Sequence, residues 1–186
     1  MSSADKSLSG TTLDSQRHLF DIPDDVAYLN CAYISPLLNS VRDVGTASTS
    51  RKCHPWEILP PDFFTDAEEN RALFAELIGS TADDIAVVPA ASYGTATAAR
   101  NLPVEAGKRI LLLNDQFPSN VYPWRELAKE HGGNILTLPQ PEDDDWTRAI
   151  LEALDERVAI AALPHVHWTD GGLIDLERVA SRCREV

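Results

Sequence analysis

Along the second half of the chain, short uninterrupted apolar runs alternate with segments of helical period. Ile85 to Val88, Arg109 to Leu113, Ile135 to Leu138 and Val158 to Leu163 each read as a strand. Each run is continuous rather than alternating, which is how strands of a parallel sheet covered on both faces are written. Between and after them lie helical segments. One is fed by the small residues Ala90 to Ala99, and others run over Asn120 to His131 (stopped by Gly132-Gly133), Trp146 to Leu154, and Asp175 to Glu185 with Asp175 as N-cap. The resulting β-α-β-α-β-α-β-α order predicts an α/β domain with a parallel sheet.

The first half is less regular. Met1 to about Gln16 is rich in Ser, Thr and Asp without a period and reads as a mobile tail. Val26 to Leu29 predicts a short strand, and Ser35-Pro36 an N-cap with proline at the first position of a helix beginning near Leu37. Arg51 to Asp62 holds three prolines and reads as a surface loop. Thr65-Asp66-Ala67-Glu68 has the spacing of a capping box. Ala67, Phe74, Leu77 and Ile78 then share one helical face, and Gly79 stands where the helix should stop. The division expected is a polar tail over residues 1–19, a helical and loop segment over 20–84, and the α/β domain over 85–186.

Charge narrows the partners. The chain has 186 residues and a net charge of −13, from 29 acidic against 16 basic residues. That balance argues against nucleic acid or an anionic membrane surface, while a small anionic ligand needs only a local positive site. No run approaches the length of a membrane span and no secretory leader is visible. Cys31, Cys53 and Cys183 are odd in number and unrelated in spacing, which favours reduced thiols and a cytoplasmic location.

In parallel sheets ligands sit beyond the carboxyl ends of the strands. After Ile85–Val88, the small residues including Ser92, Gly94 and Thr95 lead straight into a helix whose free N–H groups could accept a phosphate. The same residues equally suit close packing at an ordinary strand–helix junction, since neither GxGxxG nor GxxxxGK[ST] is present. Phe117, after the second strand, could stack on a flat ring or plug the core. After the last strand, His165, His167 and Asp170 are a weak metal set. The preferred reading has His167, Trp168 and Thr169 lining the crevice and His165 orienting the loop.

Taken in order, four segments resemble the class V aminotransferase family of fold-type-I pyridoxal-phosphate (PLP) enzymes, which includes cysteine desulfurases, kynureninase-like lyases and isopenicillin-N-epimerase-like proteins. Residues 28–33 (YLNCAY) resemble the family's YLDNAA signature, 91–97 its phosphate-holding SGATEAIN loop, 116–124 its EHHANIVPW and 165–171 its HVSNVLG. The resemblance implies a PLP-binding large domain in which Ser92, Tyr93 and Thr95 hold the phosphate and Phe117 stacks on the ring. It also puts His167, Trp168 and Thr169 near the 3′-oxygen, and Asn30 and Tyr33 on the substrate side. Phe117 stands where desulfurases have a stacking His, and Trp168 replaces an Asn.

The resemblance further implies an amino-acid substrate and a homodimer, with the segments 30–35 and 51–61 contributing to a partner's site. The pyridinium-pairing Asp and the Schiff-base Lys of the family have no counterpart here, the lysines being Lys6, Lys52, Lys108 and Lys129. The sequence therefore reads as the N-terminal portion of such an enzyme, with an open sheet edge and no activity expected by itself. A non-catalytic α/β module binding a phosphorylated ligand or a partner subunit is the alternative.

Overall fold

A computed structural model describes residues 13–31 and 33–186. Most of the tail expected over residues 1–19 lies outside them, as does Ala32 of the YLNCAY segment. The chain forms two compact units, one reaching Asp66 and the other running from Ala67.

In the first unit, Arg17–Leu19 make a 3-10 turn, and the Arg17 guanidinium donates to the carbonyls of Pro23 and Val26 at 2.5 and 2.8 Å. Helix α1 spans Asn39–Arg51. It starts two residues later than Ser35-Pro36 predicts, because the Ser35 hydroxyl turns to the Pro36 carbonyl and no side chain caps the helix. Val26 to Leu29 is not a strand. Leu29 is 90% exposed, and the only ladder-type pairing described in this unit is an isolated bridge from Phe20 to Leu38. Without a neighbouring strand the run has no ladder to join.

Helix α2 spans Thr65–Ile78 and leaves through Gly79 at φ +69°. The expected capping box does not form. The Thr65 hydroxyl donates to the Pro61 carbonyl, while Glu68 receives the Arg71 guanidinium. The face expected to be buried is also open, with Phe74, Leu77 and Ile78 at least half exposed and Ala75 the one buried residue of the helix.

The second unit is built on three parallel strands in the order β2-β1-β3: β1 Arg109–Leu113, β2 Asn134–Leu138 and β3 Val158–Ala161. Leu113 pairs with Leu138, and the β1–β3 register slips by one residue after Arg109. The fourth predicted strand is absent. Residues 85–88 are irregular, with Val87 69% and Val88 47% exposed, because among the described residues no strand lies alongside them.

Because side chains alternate across a strand, β1 feeds two cores. Ile110 and Leu112 pack with Ala99, Trp124, Leu127 and Ala128 of helices α3 (Ala91–Asn101) and α4 (Tyr122–His131). Leu111 and Leu113 pack with Trp146, Ile150 and Val179 of α5 (Trp146–Ala153) and α6 (Leu176–Glu185). All four β1 side chains are at most 2% exposed, and each such burial is worth about 1.5–3 kcal/mol.

The Asp175 and Gly132 caps follow the sequence, and Asp145, read there only as loop, adds another. Asp145 and Asp175 accept from the N–H groups of Arg148 and Arg178 at the starts of α5 and α6. Gly132 ends α4 at φ +70°, a conformation glycine takes without a Cβ penalty. Among the described residues no helix is long and apolar enough to cross a membrane.

Candidate functional site

The carboxyl end of β1 is the point on which the candidate residues converge. Helix α3 runs alongside α4 in the same direction: it packs on the Pro118–Asn120 turn that leads into α4, and beyond the carboxyl ends of the two helices the Gly107 N–H donates to the Gly132 carbonyl at 2.8 Å. Both helices therefore turn their amino ends toward the end of the sheet where β1 stops. The small residues between Ala90 and Ala99 allow this approach, with Ala98 and Ala99 against the core.

The α3 amino end has no side-chain cap, since its N-cap residue is Ala90. The Tyr93 N–H already donates to the Ala90 carbonyl at 3.0 Å, so the Ala91 and Ser92 N–H groups are those left for an external acceptor. Ser92 and Tyr93 are exposed, and a Cβ built on Gly94 would meet nothing within 4 Å. The Thr95 hydroxyl is already spent on the Ala91 carbonyl at 3.1 Å.

Beyond β1 the chain turns sharply. Asp115 adopts φ +51°, a left-handed conformation uncommon for a residue with a side chain, and its carbonyl accepts from the Trp168 indole N–H at 2.7 Å. Phe117 follows at the rim, 40% exposed. Its ring stands edge-on to the Trp168 indole, with centroids 5.3 Å apart and planes at 84°. The benzyl group is thus at the mouth and not a plug in the core.

Asn120 ties this turn to β3. Its side-chain N–H donates to the Ala162 carbonyl at 3.2 Å while its oxygen accepts from the Trp124 indole at 2.9 Å. The i, i+4 spacing of Asn120 and Trp124 on a helix start is the sequence signal for that link.

The loop after β3 exchanges the roles expected of its two histidines. His165 is exposed, whereas His167 is 1% exposed and stacks on Trp146, centroids 4.8 Å apart at 19°. His167 Nε2 donates to the Asn114 carbonyl at 3.0 Å, an assignment fixed by the carbonyl's inability to donate. Nδ1 is left to accept from the Thr169 hydroxyl at 2.9 Å. His167 therefore lies beneath the crevice instead of lining it, and it holds the loop carrying Trp168 against the end of β1.

Asp170 completes the lock by accepting from the Trp146 indole at 3.1 Å and from the Gly172 N–H at 2.7 Å. Trp146 and Asp170 went unread as positioning residues, because Trp146 lies some twenty residues upstream and carries no motif. His167 Nδ1 stands 3.4 Å from Asp170 Oδ2, but the described residues hold no cluster of three or more metal-ligating side chains.

One polar atom in this region has no partner. The Gln116 side-chain oxygen accepts from the Phe117 N–H at 2.8 Å, while its Nε2 is buried and makes no hydrogen bond. Such a donor costs about 1–3 kcal/mol relative to a satisfied one.

Asn30 and Tyr33 belong to the first unit, where the Asn30 carbonyl accepts from the N–H groups of Tyr33 and Ile34 at 3.3 and 3.2 Å in a turn, and Tyr33 is half exposed. Among the lysines, Lys108 reaches the Glu156 carbonyl at the opposite end of the sheet, Lys129 lies in the last turn of α4 and Lys52 caps α1; Lys6 is outside the described residues.

A three-stranded parallel core with helices on both faces is an α/β arrangement, and solved structures of fold-type-I PLP enzymes contain it as part of their fold. The resemblance to solved structures has the same content. A C-DES variant with glycine covalently linked to its PLP cofactor superposes with a TM-score of 0.74 at 17% identity, over 93% of this chain and 46% of that one. The cysteine desulfurase CsdA from Escherichia coli gives 0.70 at 18% identity, over 91% and 45%.

The Aminotransferase class-V family profile matches residues 58–186, and the chain belongs to that family. A protein named "Probable cysteine desulfurase" from Mycoplasma genitalium is 25% identical over 121 residues, 64% of this chain and 30% of its own length. One of the same name from Staphylococcus aureus is 27% identical over 130 residues, with the same two shares. The chain thus spans about 30% of the length of these curated relatives. The family is PLP-dependent.

The residues present fit the phosphate and ring portions of that cofactor. The α3 amino end is uncapped with open space at Gly94, and an aromatic face stands at the rim. Of the second unit's lysines, neither Lys108 nor Lys129 lies at this end of the sheet.

Proposed function

We propose that this chain supplies the phosphate and ring-face contacts of a PLP-dependent enzyme of the class V type acting on an amino acid. The observation that carries the reading is the uncapped α3 amino end on the same side of the sheet as the Phe117–Trp168 pair. The Ala91 and Ser92 N–H groups and the Ser92 hydroxyl bind the phosphate, with the exposed Tyr93 beside them. Thr95, its hydroxyl held by Ala91, supports the turn.

Phe117 covers one ring face and excludes water from it. Trp168 and Thr169 border the 3′-oxygen side, and His167 acts on them from below. When bound, the cofactor would supply the electron sink that weakens bonds at the amino acid's α-carbon. Asn30 and Tyr33 are assigned to the substrate side and a homodimer to the assembly, both on the family resemblance. A cytoplasmic location accords with three exposed, unpaired cysteines. Within the second unit the contacts are non-covalent, in keeping with the placement of Lys108 and Lys129 away from this end of the sheet.

The test uses 4-deoxypyridoxine 5′-phosphate, which lacks the aldehyde and so ignores surface lysines. Calorimetry should show saturable binding that is lost with unphosphorylated 4-deoxypyridoxine. Equal binding of the two compounds would overturn the assignment.

A further inference from the structure

We propose that Asn120 is a positioning residue that sets the spacing between Phe117 and Trp168, the two rings at the mouth of the crevice. The inference deepens the ring-binding reading and rests on it, although the spacing itself is measurable without a ligand.

Asn120 is half-buried at the end of the turn that leads into α4. Its backbone N–H donates to the Phe117 carbonyl at 2.9 Å. Its side-chain NH2 donates to the Ala162 carbonyl at 3.2 Å, and its Oδ1 accepts from the Trp124 indole at 2.9 Å. Trp124 is itself a core residue, 5% exposed among Ile110, Leu112 and Leu127. Ala162, the residue after β3, is held from its other side as well, its N–H donating to the Leu111 carbonyl of β1 at 3.0 Å. The end of β3 is thus fastened to β1 by backbone and to the turn carrying Phe117 by the Asn120 amide.

From Ala162 the chain runs directly into the loop that bears Trp168, whose indole returns to the same turn at the Asp115 carbonyl. The links close a circuit from Phe117 through Asn120, Ala162 and Trp168 back to the Phe117 ring. Where the loop begins decides where Trp168 can stand, and Asn120 fixes that beginning. The position needs one short side chain that accepts from an indole and donates to a carbonyl at once. Asn does both, an ionised Asp can only accept, and Leu can do neither. Turning the amide over would set its NH2 against the indole N–H and its oxygen against the carbonyl, so the two partners fix its orientation.

The experiment compares the parent chain with Asn120→Asp. NMR reads cross-relaxation between the Phe117 ring and the Trp168 indole, and calorimetry reads the affinity for 4-deoxypyridoxine 5′-phosphate. At pH 8 the introduced carboxylate still accepts from the Trp124 indole but has no proton for the Ala162 carbonyl. The ring–ring cross-peaks should weaken, and the analogue should bind about fivefold less tightly than to the parent, the order of one lost hydrogen bond. Protonation restores the missing donor, and the carboxyl titrates above its ordinary range because its ionised form faces a carbonyl oxygen. At pH 5 both readouts should return toward those of the parent at the same pH, a recovery that a general loss of structure would not show.

Cross-peaks and affinity that match the parent at pH 8, or a loss that acid does not restore, overturn the proposal. A parent that binds the phosphorylated and unphosphorylated compounds equally overturns the ring-binding reading instead, and the cross-peaks of N120D then still decide what Asn120 does. Should N120D fail to fold, Asn120→Ser, too short to join Trp124 to Ala162, replaces it. Unchanged cross-peaks, or a loss shared by the core signals of Ile110 and Ile150, overturn the proposal, and weakening confined to the Phe117–Trp168 pair upholds it.

Discussion

The Phe117 ring meets the Trp168 indole edge-on, 5.3 Å between centroids, and this joins the turn after β1 to the loop after β3. Each partner is fixed from behind, Phe117 through the Gln116 side chain and Trp168 through the Asp115 carbonyl. A ring face held this way is presented at little entropic cost on binding.

Phe117→Ala should therefore weaken 4-deoxypyridoxine 5′-phosphate by about 0.5–1.5 kcal/mol, up to roughly tenfold, while Phe117→Tyr keeps most of the affinity. The rim position is 40% exposed, so the fold should tolerate both changes. Calorimetry reads the affinity, and circular dichroism checks the fold.

His167→Ala is expected to act differently. It removes the stack on Trp146 and leaves the Asn114 carbonyl without the His167 donor. Thermal denaturation should show a loss of about 2–4 kcal/mol. His167→Gln, which can still donate to the carbonyl, should recover part of it. Unchanged stability in both variants would contradict the positioning role.

Much of the second unit was legible because its strands and helices are local statements. The apolar run Arg109–Leu113 and the caps Asp175 and Gly132 act within a few residues of themselves. Strand pairing is different, since an apolar run becomes a strand only beside another. Ile85–Val88 and Val26–Leu29 have strand composition but no neighbouring strand among the described residues, and the apolar face of α2 likewise has nothing over it. The same logic divides the site. Phe117 and Ser92 stand next to element ends and could be read, whereas His167 owes its burial to Trp146 and Asn114, both more than twenty residues away. Val88→Thr tests the point: at 47% exposure it should change stability by less than about 0.5 kcal/mol in thermal denaturation, where a buried strand position would lose more.

Gly172 offers a steric test of the loop. A Cβ there would stand 2.6 Å from Trp146 Cδ1 and 2.9 Å from Asp170 Oδ1, and Trp146 is itself 1% exposed and unable to retreat. Gly172→Ala should cost about 1–3 kcal/mol. Gly45→Ala, where nothing lies within 4 Å, is the control and should not destabilise. Equal melting temperatures for the two variants would show that the loop is looser than described.

Acid should unfasten the turn that leads from α2 toward the site. Asp84 accepts from the hydroxyls of Ser80 and Thr81 at 2.9 Å each, and these bonds, with the Thr81 N–H, hold its carboxyl below the usual value of 3.8. A carboxyl lowered in the folded state contributes stability above its unfolded pKa, and the contribution is lost as pH falls through the folded value. Asp84→Asn should consequently melt below the parent at pH 7, with the gap closing as the buffer is taken below the ordinary carboxyl range. Because the partners are neutral hydroxyls, the gap at pH 7 should survive 0.5 M salt. Asp143→Asn gives the contrast: Asp143 is lowered chiefly by the Arg148 guanidinium at the surface, so its gap should shrink in salt by Debye screening as well as in acid. If both gaps shrank equally in salt, the hydroxyl contacts would not be what holds Asp84 ionised.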